Sequence, residues 1–264
     1  MKFVIGAALL AGMSAPAFAQ AAEEPALCTD RPTKANSVCT VPTGKIQLET
    51  DLVNWSRTRA GGVRTDVVAY TNPYLKFGLG ADTDIEANIA PYVEIRTKVG
   101  ATTSTIGGVG DLTLRLKQRL TDPAAKFQLG LVPFVKVPTA KRGIGNREFE
   151  GGLAVPVQLS LPGSMTLTFG PEADLLLDGD GSGRHVQLIG IVNLGKPVTP
   201  RLTLYGEVFT AQNYDPAGTV RQYSLDAAAA YALTARVQLD LGGNFGLNRN
   251  TPDTQLYVGI STRF

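Results

Sequence analysis

The sequence predicts an all-β fold, a transmembrane antiparallel β-barrel of about 12 strands preceded by a cleaved signal peptide. Three observations support this prediction. The chain opens with a short apolar segment and a signal-peptidase site. No later apolar run approaches the roughly 20 residues that a membrane-spanning helix needs. From Gly44 onward, apolar and polar side chains alternate in one run after another.

The amino terminus predicts export. Lys2 precedes an apolar run from Phe3 to Met13, and Ala17 and Ala19 place small residues before a cleavage site at Gln20. The run is too short to span a bilayer, so a removable signal is expected rather than an anchor. We therefore divide the chain into a signal peptide (1–19), a periplasmic N-terminal segment with a probable disulfide (20–43) and an outer-membrane β-barrel (44–264).

Composition excludes several classes of partner. The net charge of +2 gives no reason to expect nucleic acid. Cys28 and Cys39 are expected to form a disulfide, because an exported chain meets an oxidising compartment. Lipid attachment at Cys28 is disfavoured, since polar residues separate it from the apolar run. Two thiols and the distant His185 do not complete four metal ligands, so we expect neither a metal site nor a cofactor.

Alternating runs account for nearly all of the mature chain, and each ends in a cluster of turn-forming residues. In the last run, Leu256, Val258 and Ile260 share one side, while Tyr257 and Arg263 share the other. The predicted runs are 45–58, 63–79, 84–98, 110–120, 126–138, 151–161, 164–178, 184–194, 201–213, 219–233, 235–248 and 255–264.

Alternation alone would also suit a soluble sandwich, so the choice of a membrane rests on three further features. Tight connections (81–83, 121–125, 162–163, 196–200, 233–234) alternate with others that tend to be longer, such as 100–109, 139–150 and 249–254. Phe77, Phe127 and Tyr231 fall on the oily face near the tight ends. The chain stops on Phe264, which resembles the assembly signal read by the barrel assembly machinery. The cell outer membrane and its lipid are therefore the expected surroundings.

Five prolines interrupt the predicted runs: Pro73, Pro91, Pro133, Pro156 and Pro171. Each removes a donor from the hydrogen-bond ladder. They mark either bulges that bend a strand or points where a run divides into two shorter strands.

The first mature residues resemble a known family. The chain carries Thr29-Asp30-Arg31-Pro32, then a Val-Pro-x-Gly turn at 41–44 and a Gln-x-Glu strand at 47–49. Over residues 28–51 this resembles the outer-membrane transporters of the phenol-degradation MetA-pathway family. The resemblance implies an outer-membrane barrel that moves small molecules, aromatic compounds among them.

If the oily face meets lipid, the polar face lines a lumen wider than an eight-stranded barrel encloses. The predicted function is a porin-like channel or transporter for passive passage of small solutes, with aromatic or hydrophobic compounds as candidates. By parity, the predicted pore-lining residues are Glu49, Asp51, Tyr74, Tyr92, Arg96, Arg115, Lys117, Arg119, Phe134, Lys136, Glu172, Asp174, Glu207, Asp226 and Asp240.

The predicted lining separates charge. Arg115, Lys117 and Arg119 form a basic wall, while acids cluster later in the chain at Glu172, Asp174, Glu207, Asp226 and Asp240. Two interpretations remain open. The walls either set up a transverse field that orients polar solutes or pair across neighbouring strands.

Aromatic side chains follow three of the prolines. Tyr74, Tyr92 and Phe134 either form a constriction suited to an aromatic solute or pack in the ordinary way. Asp30, Arg31 and Lys34 precede the barrel, where the N-terminal segment is a periplasmic cap, a plug in the lumen or an exposed tether.

Two other classes of function were weighed. An outer-membrane phospholipase needs a serine beside a histidine, but His185 lacks the His-x-Ser-Asn-Gly pattern, so an enzyme is not expected. A structural or adhesive barrel without transport predicts long outer loops, and the connections here are modest.

Overall fold

The computed structural model describes residues 25–264, and the predicted signal peptide (1–19) lies outside them. Within these residues one sheet contains 17 strand segments, and every pairing between them is antiparallel. The segments are β1 (Ile46–Ala60), β2 (Val63–Ala69), β3 (Tyr74–Gly78), β4 (Thr83–Ile89), β5 (Val93–Val99), β6 (Thr102–Gly108), β7 (Leu112–Arg119), β8 (Phe127–Val137), β9 (Glu150–Ala154), β10 (Val157–Leu161), β11 (Met165–Phe169), β12 (Glu172–Leu177), β13 (Arg184–Pro197), β14 (Leu202–Asn213), β15 (Val220–Thr234), β16 (Val237–Gly246) and β17 (Thr254–Arg263).

The segments form a closed barrel of 12 strands, as predicted. Five consecutive pairs (β2–β3, β4–β5, β6–β7, β9–β10 and β11–β12) continue one another, so 17 segments less five joins leave 12 spans. The first span closes onto the last, with Gln47 opposite Arg263 and Arg57 opposite Thr254. The one helical element described is a 3₁₀ turn at Pro162–Ser164, and none in residues 25–264 is long and apolar enough to cross a membrane.

The prolines mostly divide spans into shorter strands. Pro73, Pro91, Pro156 and Pro171 lie in the breaks, whereas Pro133 stays within β8, opposite Leu153. The sheet remains continuous across two of the breaks, because the N–H of Gly130 donates to Pro156 O (2.9 Å) and that of Val155 to Pro171 O (2.9 Å). A proline cannot donate but still accepts, so these carbonyls hold the neighbouring spans together.

The connections differ from the prediction at one end of the barrel. Longer loops cover 138–149, 178–183, 214–219 and 247–253, but residues 61–62 and 100–101 form two-residue turns at the same end. The prediction of a long loop over 100–109 was wrong, because Thr102–Gly108 forms β6 and pairs with β5. This stretch is polar, yet its β-branched threonines suit a strand.

The two faces of the barrel have opposite character. Leu225, Leu241 and Phe245 expose 54%, 60% and 47% of their surface outward, where lipid contacts them. Gln47 and Glu49 face inward and expose 0% and 1%. The interior is therefore polar and charged, which is typical of an outer-membrane barrel and the reverse of a soluble core.

In the first four spans, the side-chain rows change direction toward the end of the barrel with the longer loops. Residues that would continue the lumen-facing row there point outward instead. Arg57, Asp66 and Arg96 are direct cross-strand partners, and Arg57 also pairs with Thr254, which lies opposite Phe245 on the lipid-facing side. Cross-strand partners share a face, so Arg96 points outward. We call residues 53–60 of β1 with β2, β5 and β6 the inverted sheet.

The exchange has a local cause in each span. The register of β1 shifts between Asp51 and Val53, and the other three spans break at 70–73, 90–92 and 109–111. An irregularity of this kind turns the following side chains to the opposite face. Outward charges are incompatible with hydrocarbon, so the inverted sheet stands beyond the lipid core.

Candidate functional site

The predicted periplasmic segment lies inside the barrel. Residues 28–41, here called the lumen segment, contact inward side chains around the whole circumference. Val38 and Val41 are fully buried, and their N–H groups donate to Gln158 Oε1 (2.9 Å) and Asp84 Oδ2 (2.8 Å). The predicted disulfide between Cys28 and Cys39 is confirmed, and it closes most of the segment into a loop.

Asp30 anchors the lumen segment to the basic side of the lumen. Its carboxylate accepts from Lys76 Nζ at 2.5 Å and from Lys117 Nζ at 2.6 Å, and these lysines are buried. Burial by itself would raise the pKa of Asp30, but the ammonium groups of Lys117 and Lys76 hold that pKa well below its usual range. Glu86 completes the cluster, 3.3 Å from Lys76 and 3.4 Å from Lys117.

Glu49 fixes the backbone of the same segment. Its carboxylate accepts from the N–H groups of Asp30 (3.0 Å) and Arg31 (3.3 Å), and it lies 2.7 Å from Lys76 Nζ. Gln47, on the same face of β1, donates to both Glu49 and the carbonyl of Cys28. Gln47 and Glu49 therefore fix the backbone of the lumen segment, and Glu49 also neutralises the charge of Lys76.

Arg31 anchors the segment to acids of β1 and β16. Its guanidinium contacts Asp240 through Nη2 (2.6 Å) and Nε (3.1 Å), and Asp51 through Nη1 (2.6 Å). Burial lowers the pKa of Arg31, but Asp240 and Asp51 more than offset it, and the net shift is upward. Gly259 lies beneath this contact, where any Cβ would overlap the guanidinium.

Lys34 and its neighbour extend the acidic side. Lys34 Nζ lies 2.5 Å from Asp226 and 3.0 Å from Ser224 Oγ, and it stands over the ring of Phe209 at 4.5 Å. The N–H groups of Lys34 and Ala35 donate to Glu207 at 3.1 and 3.2 Å. Of the two predicted walls, Lys117, Asp226 and Asp240 thus pair with charged side chains of the lumen segment, and Glu207 binds its backbone.

Arg115 lies apart from these pairs. Its guanidinium carbon is 4.8 Å from the ring centroid of Tyr74 and 5.8 Å from that of Phe134. Its Nη1 donates to Asn36 Oδ1 at 3.3 Å. The two aromatic rings therefore hold a cation between them.

Tyr92 and Arg96 differ from their predicted placement. A Cβ on Gly107, which shares the outward row of Glu94, would meet the Tyr92 hydroxyl, and 46% of Tyr92 is exposed. Arg96 lies on the same outward face and contacts Glu94 at 3.1 Å. The prediction assumed that side chains alternate without interruption through residues 90–92. The strand breaks there, so both residues were assigned to the wrong face, and Tyr92 does not lie with Tyr74 and Phe134.

The remaining predicted residues occupy separate places. Arg119 contacts Asp82 (2.5 Å) near a tight turn, Lys136 contacts Glu150 (2.6 Å), and Asp174 accepts from Gln187 (3.1 Å). Phe264 exposes 65% of its surface, and its N–H donates to Ile46 O. Its role as an assembly signal stays a prediction.

His185 is held by carboxylates. Its Nδ1 lies 2.9 Å from Asp178 Oδ1 and 3.7 Å from Asp215 Oδ2. Among the described residues, its hydrogen bonds include none to a serine.

Among charged residues, sequence reasoning missed Lys76 and Asp84, which contact the lumen segment, and Glu86, which pairs with Lys76. A signal for them was available. Glu86 alternates with Ile85 and Ala87, and Lys76 follows Tyr74 at the spacing of one face.

Two of the cavities that flank the lumen segment are both lined by Asp30, Arg31 and Asn36. The smaller, about 230 Å³, reaches Ser164 and Pro197 near the tight turns. The larger, about 370 Å³, reaches Glu49, Lys76 and Arg115. Its walls include Tyr74, Arg115, Glu172, Ile189, Ile191 and Phe209.

A closed antiparallel barrel with an oily outer face and a charged lumen defines the class of outer-membrane channel-type proteins. The chain belongs to the family described as "Putative MetA-pathway of phenol degradation", whose profile matches residues 29–264. The resemblance seen in residues 28–51 is thereby confirmed and extends over the whole barrel.

Solved structures show the same fold. An outer membrane channel from Pseudomonas putida F1 superposes with a TM-score of 0.69 at 17% identity, covering 88% of this chain and all (100%) of that one. The translocator domain of the autotransporter NalP from Neisseria meningitidis gives 0.53 at 14% identity, covering 86% and 91%. The NanC porin gives 0.54 at 8% identity, covering 81% and 98%. No curated protein sequence matches significantly. The fold and the outer-membrane location are confirmed.

Proposed function

We propose that the protein is a passive channel for small solutes, with aromatic and hydrophobic compounds as its cargo and no cofactor. The observation that carries the proposal is the lumen segment itself, because it separates two cavities inside a barrel. Displacing residues around Asp30 and Asn36 would join these cavities into one path. A barrel of this strand number has the width for such a path.

The contacts that hold the lumen segment support the proposal that it blocks the channel reversibly. Asp30, Arg31 and Lys34 attach it through ion pairs and hydrogen bonds to the barrel wall. Such contacts exchange with water when the segment moves, whereas a packed apolar core would resist. The disulfide lets the loop move as one unit.

The choice of cargo is supported by the inverted sheet. Val67, Ile95 and Ile106 share its inward face, at the end of the barrel that carries the longer loops. A Cβ on Gly143 would meet Ile106, so the loop 138–149 packs against this face. A solute arriving here meets apolar side chains first and the rings of Tyr74 and Phe134 further in.

The proposal includes no catalytic step. His185→Ala should leave both conductance and any phospholipid hydrolysis of the preparation unchanged, because the His185 ring is held by the carboxylates of Asp178 and Asp215. We also propose Phe264 as part of the signal for the barrel assembly machinery, since its ring is free on the lipid-facing side.

Single-channel conductance of the refolded protein in planar bilayers tests the proposal. We expect stepwise currents that phenol or benzoate reduces more than hexanoate does. Folding is checked by heat-modifiable migration on a denaturing gel. Folded protein that passes no current, with or without solute, would contradict a channel.

A further inference from the structure

One cation facing the larger cavity lacks a carboxylate. Arg31, Lys34 and Lys76 each contact at least one acid within 2.7 Å. Arg115 has no acid within the 4.0 Å of an ion pair among residues 25–264. Its Nε–H is buried and has no acceptor in the same part of the chain.

The surroundings of Arg115 suit a flat, apolar ligand. Tyr74 and Phe134 lie against the guanidinium, and Tyr74, Ile191 and Phe209 are among the residues that line the cavity. Gly152 leaves room for this arrangement, because a Cβ there would meet the tip of the Phe134 ring at 2.8 Å. The cavity of about 370 Å³ falls within the usual range for small-molecule sites.

We propose that this cavity binds a single-ring aromatic carboxylate, with Arg115 as its anchor. A free Nη–H of Arg115 donates to the ligand carboxylate, and the ring of the ligand packs among the apolar side chains. The inference rests on the proposed function, since it names a class of solute for the same channel. Within residues 25–264 no acid contacts the Arg115 guanidinium directly, and a carboxylate ligand would supply that contact.

Glu172 provides a second test of the proposed site. Its carboxyl lines the same cavity and makes no ion pair within the described residues. Its negative charge opposes a bound anion, so E172Q should tighten binding of an aromatic acid several-fold. The same substitution should not affect a neutral ligand of equal size.

Binding is measured by fluorine NMR on the full barrel in detergent, which needs no open pore. The probes are para-fluorobenzoate and para-fluorobenzyl alcohol, which share a ring and differ in charge. We expect saturable binding of the acid and at least tenfold weaker binding of the alcohol. Benzoate should displace the acid better than cyclohexanecarboxylate, because the site favours an aromatic ring.

The matched variants are R115Q and R96Q, which remove an inward and an outward arginine. R115Q should weaken the acid about tenfold or more, and R96Q should leave it unchanged. R115K retains the charge but loses the planar fork, so it should fall between them. Heat-modifiable migration verifies that each variant is folded.

Equal binding of acid and alcohol, or equal affinity of R115Q and R96Q, would overturn the site. Such a result would leave the channel proposal standing if wild-type conductance is observed. Conversely, binding without conductance would retain the site and contradict the channel. The two proposals therefore fail separately.

Discussion

The two sides of the lumen hold the same segment by opposite means. On the basic side, one carboxylate, Asp30, bridges Lys76 and Lys117, whose side chains expose 2% and 1%. On the acidic side, two cations of the segment, Arg31 and Lys34, contact separate acids, and their side chains expose 15% and 27% against 16% for Asp30. The order of charges in the segment, acid then bases, matches the separation of charge between the walls.

This difference indicates where the segment is held most firmly. Removing Asp30 takes a partner from two buried ammonium groups at once, whereas removing the partly solvated Lys34 takes a partner from one carboxylate. The basic side should therefore dominate docking of the lumen segment, and the acidic side should set its orientation. Four changes test this order, from the largest expected effect to the smallest.

Asp30→Asn should have the largest effect. It leaves Lys76 and Lys117 buried with fewer opposing charges, and we expect the free energy of docking to fall by about 3 kcal/mol. Hydrogen exchange of the Val38 amide, which donates to Gln158, should then accelerate about a hundredfold. Asp180→Asn in an exposed loop is the control. Unchanged exchange in Asp30→Asn would contradict the anchor.

Arg31→Gln should rank second. It removes the contacts to Asp240 and Asp51, and we expect docking to weaken by about 2 kcal/mol. Single-channel recordings should show a higher open fraction than wild type but a lower one than Asp30→Asn. A larger effect than that of Asp30→Asn would reverse the proposed order.

Lys34→Gln should cost only about 1 kcal/mol, because Lys34 is the most exposed of the three anchors. Its backbone N–H still donates to Glu207, so the path of the segment is kept. Amide exchange at Val38 should accelerate by about fivefold. An effect equal to that of Arg31→Gln would show that exposure does not govern these contacts.

Acidification from pH 7 to about 5 should have no effect through Asp30. Its pKa is lowered in the folded state, so its stabilisation is complete above the unfolded value of about 3.9 and is lost as the pH falls towards the folded value. Amide exchange at Val38, whose acceptor Gln158 does not titrate, should rise only below about pH 4 once it is corrected for its intrinsic pH dependence. A transition at pH 6 would point to another group.

Much of the barrel could be predicted from local pattern. Alternation in 255–264 and its neighbours predicted the spans, and Cys28 and Cys39 predicted the bridge. Parity failed for Tyr92 and Arg96, because breaks at residues 70–73 and 90–92 turn the sheet over. A proline in a strand is visible in sequence, but the number of side chains that it turns over is not.

What the sequence by itself determined is the barrel, its oily and polar faces and the separation of lumen charge, because each follows from spacing within one strand. The tertiary structure alone decided that Asp30, Arg31 and Lys34 lie inside the lumen. Arg31 meets Asp240 at a separation of 209 residues, and Lys34 meets Asp226 at 192. Contacts of that range depend on which strands become neighbours when the barrel closes, and a local pattern carries no record of closure.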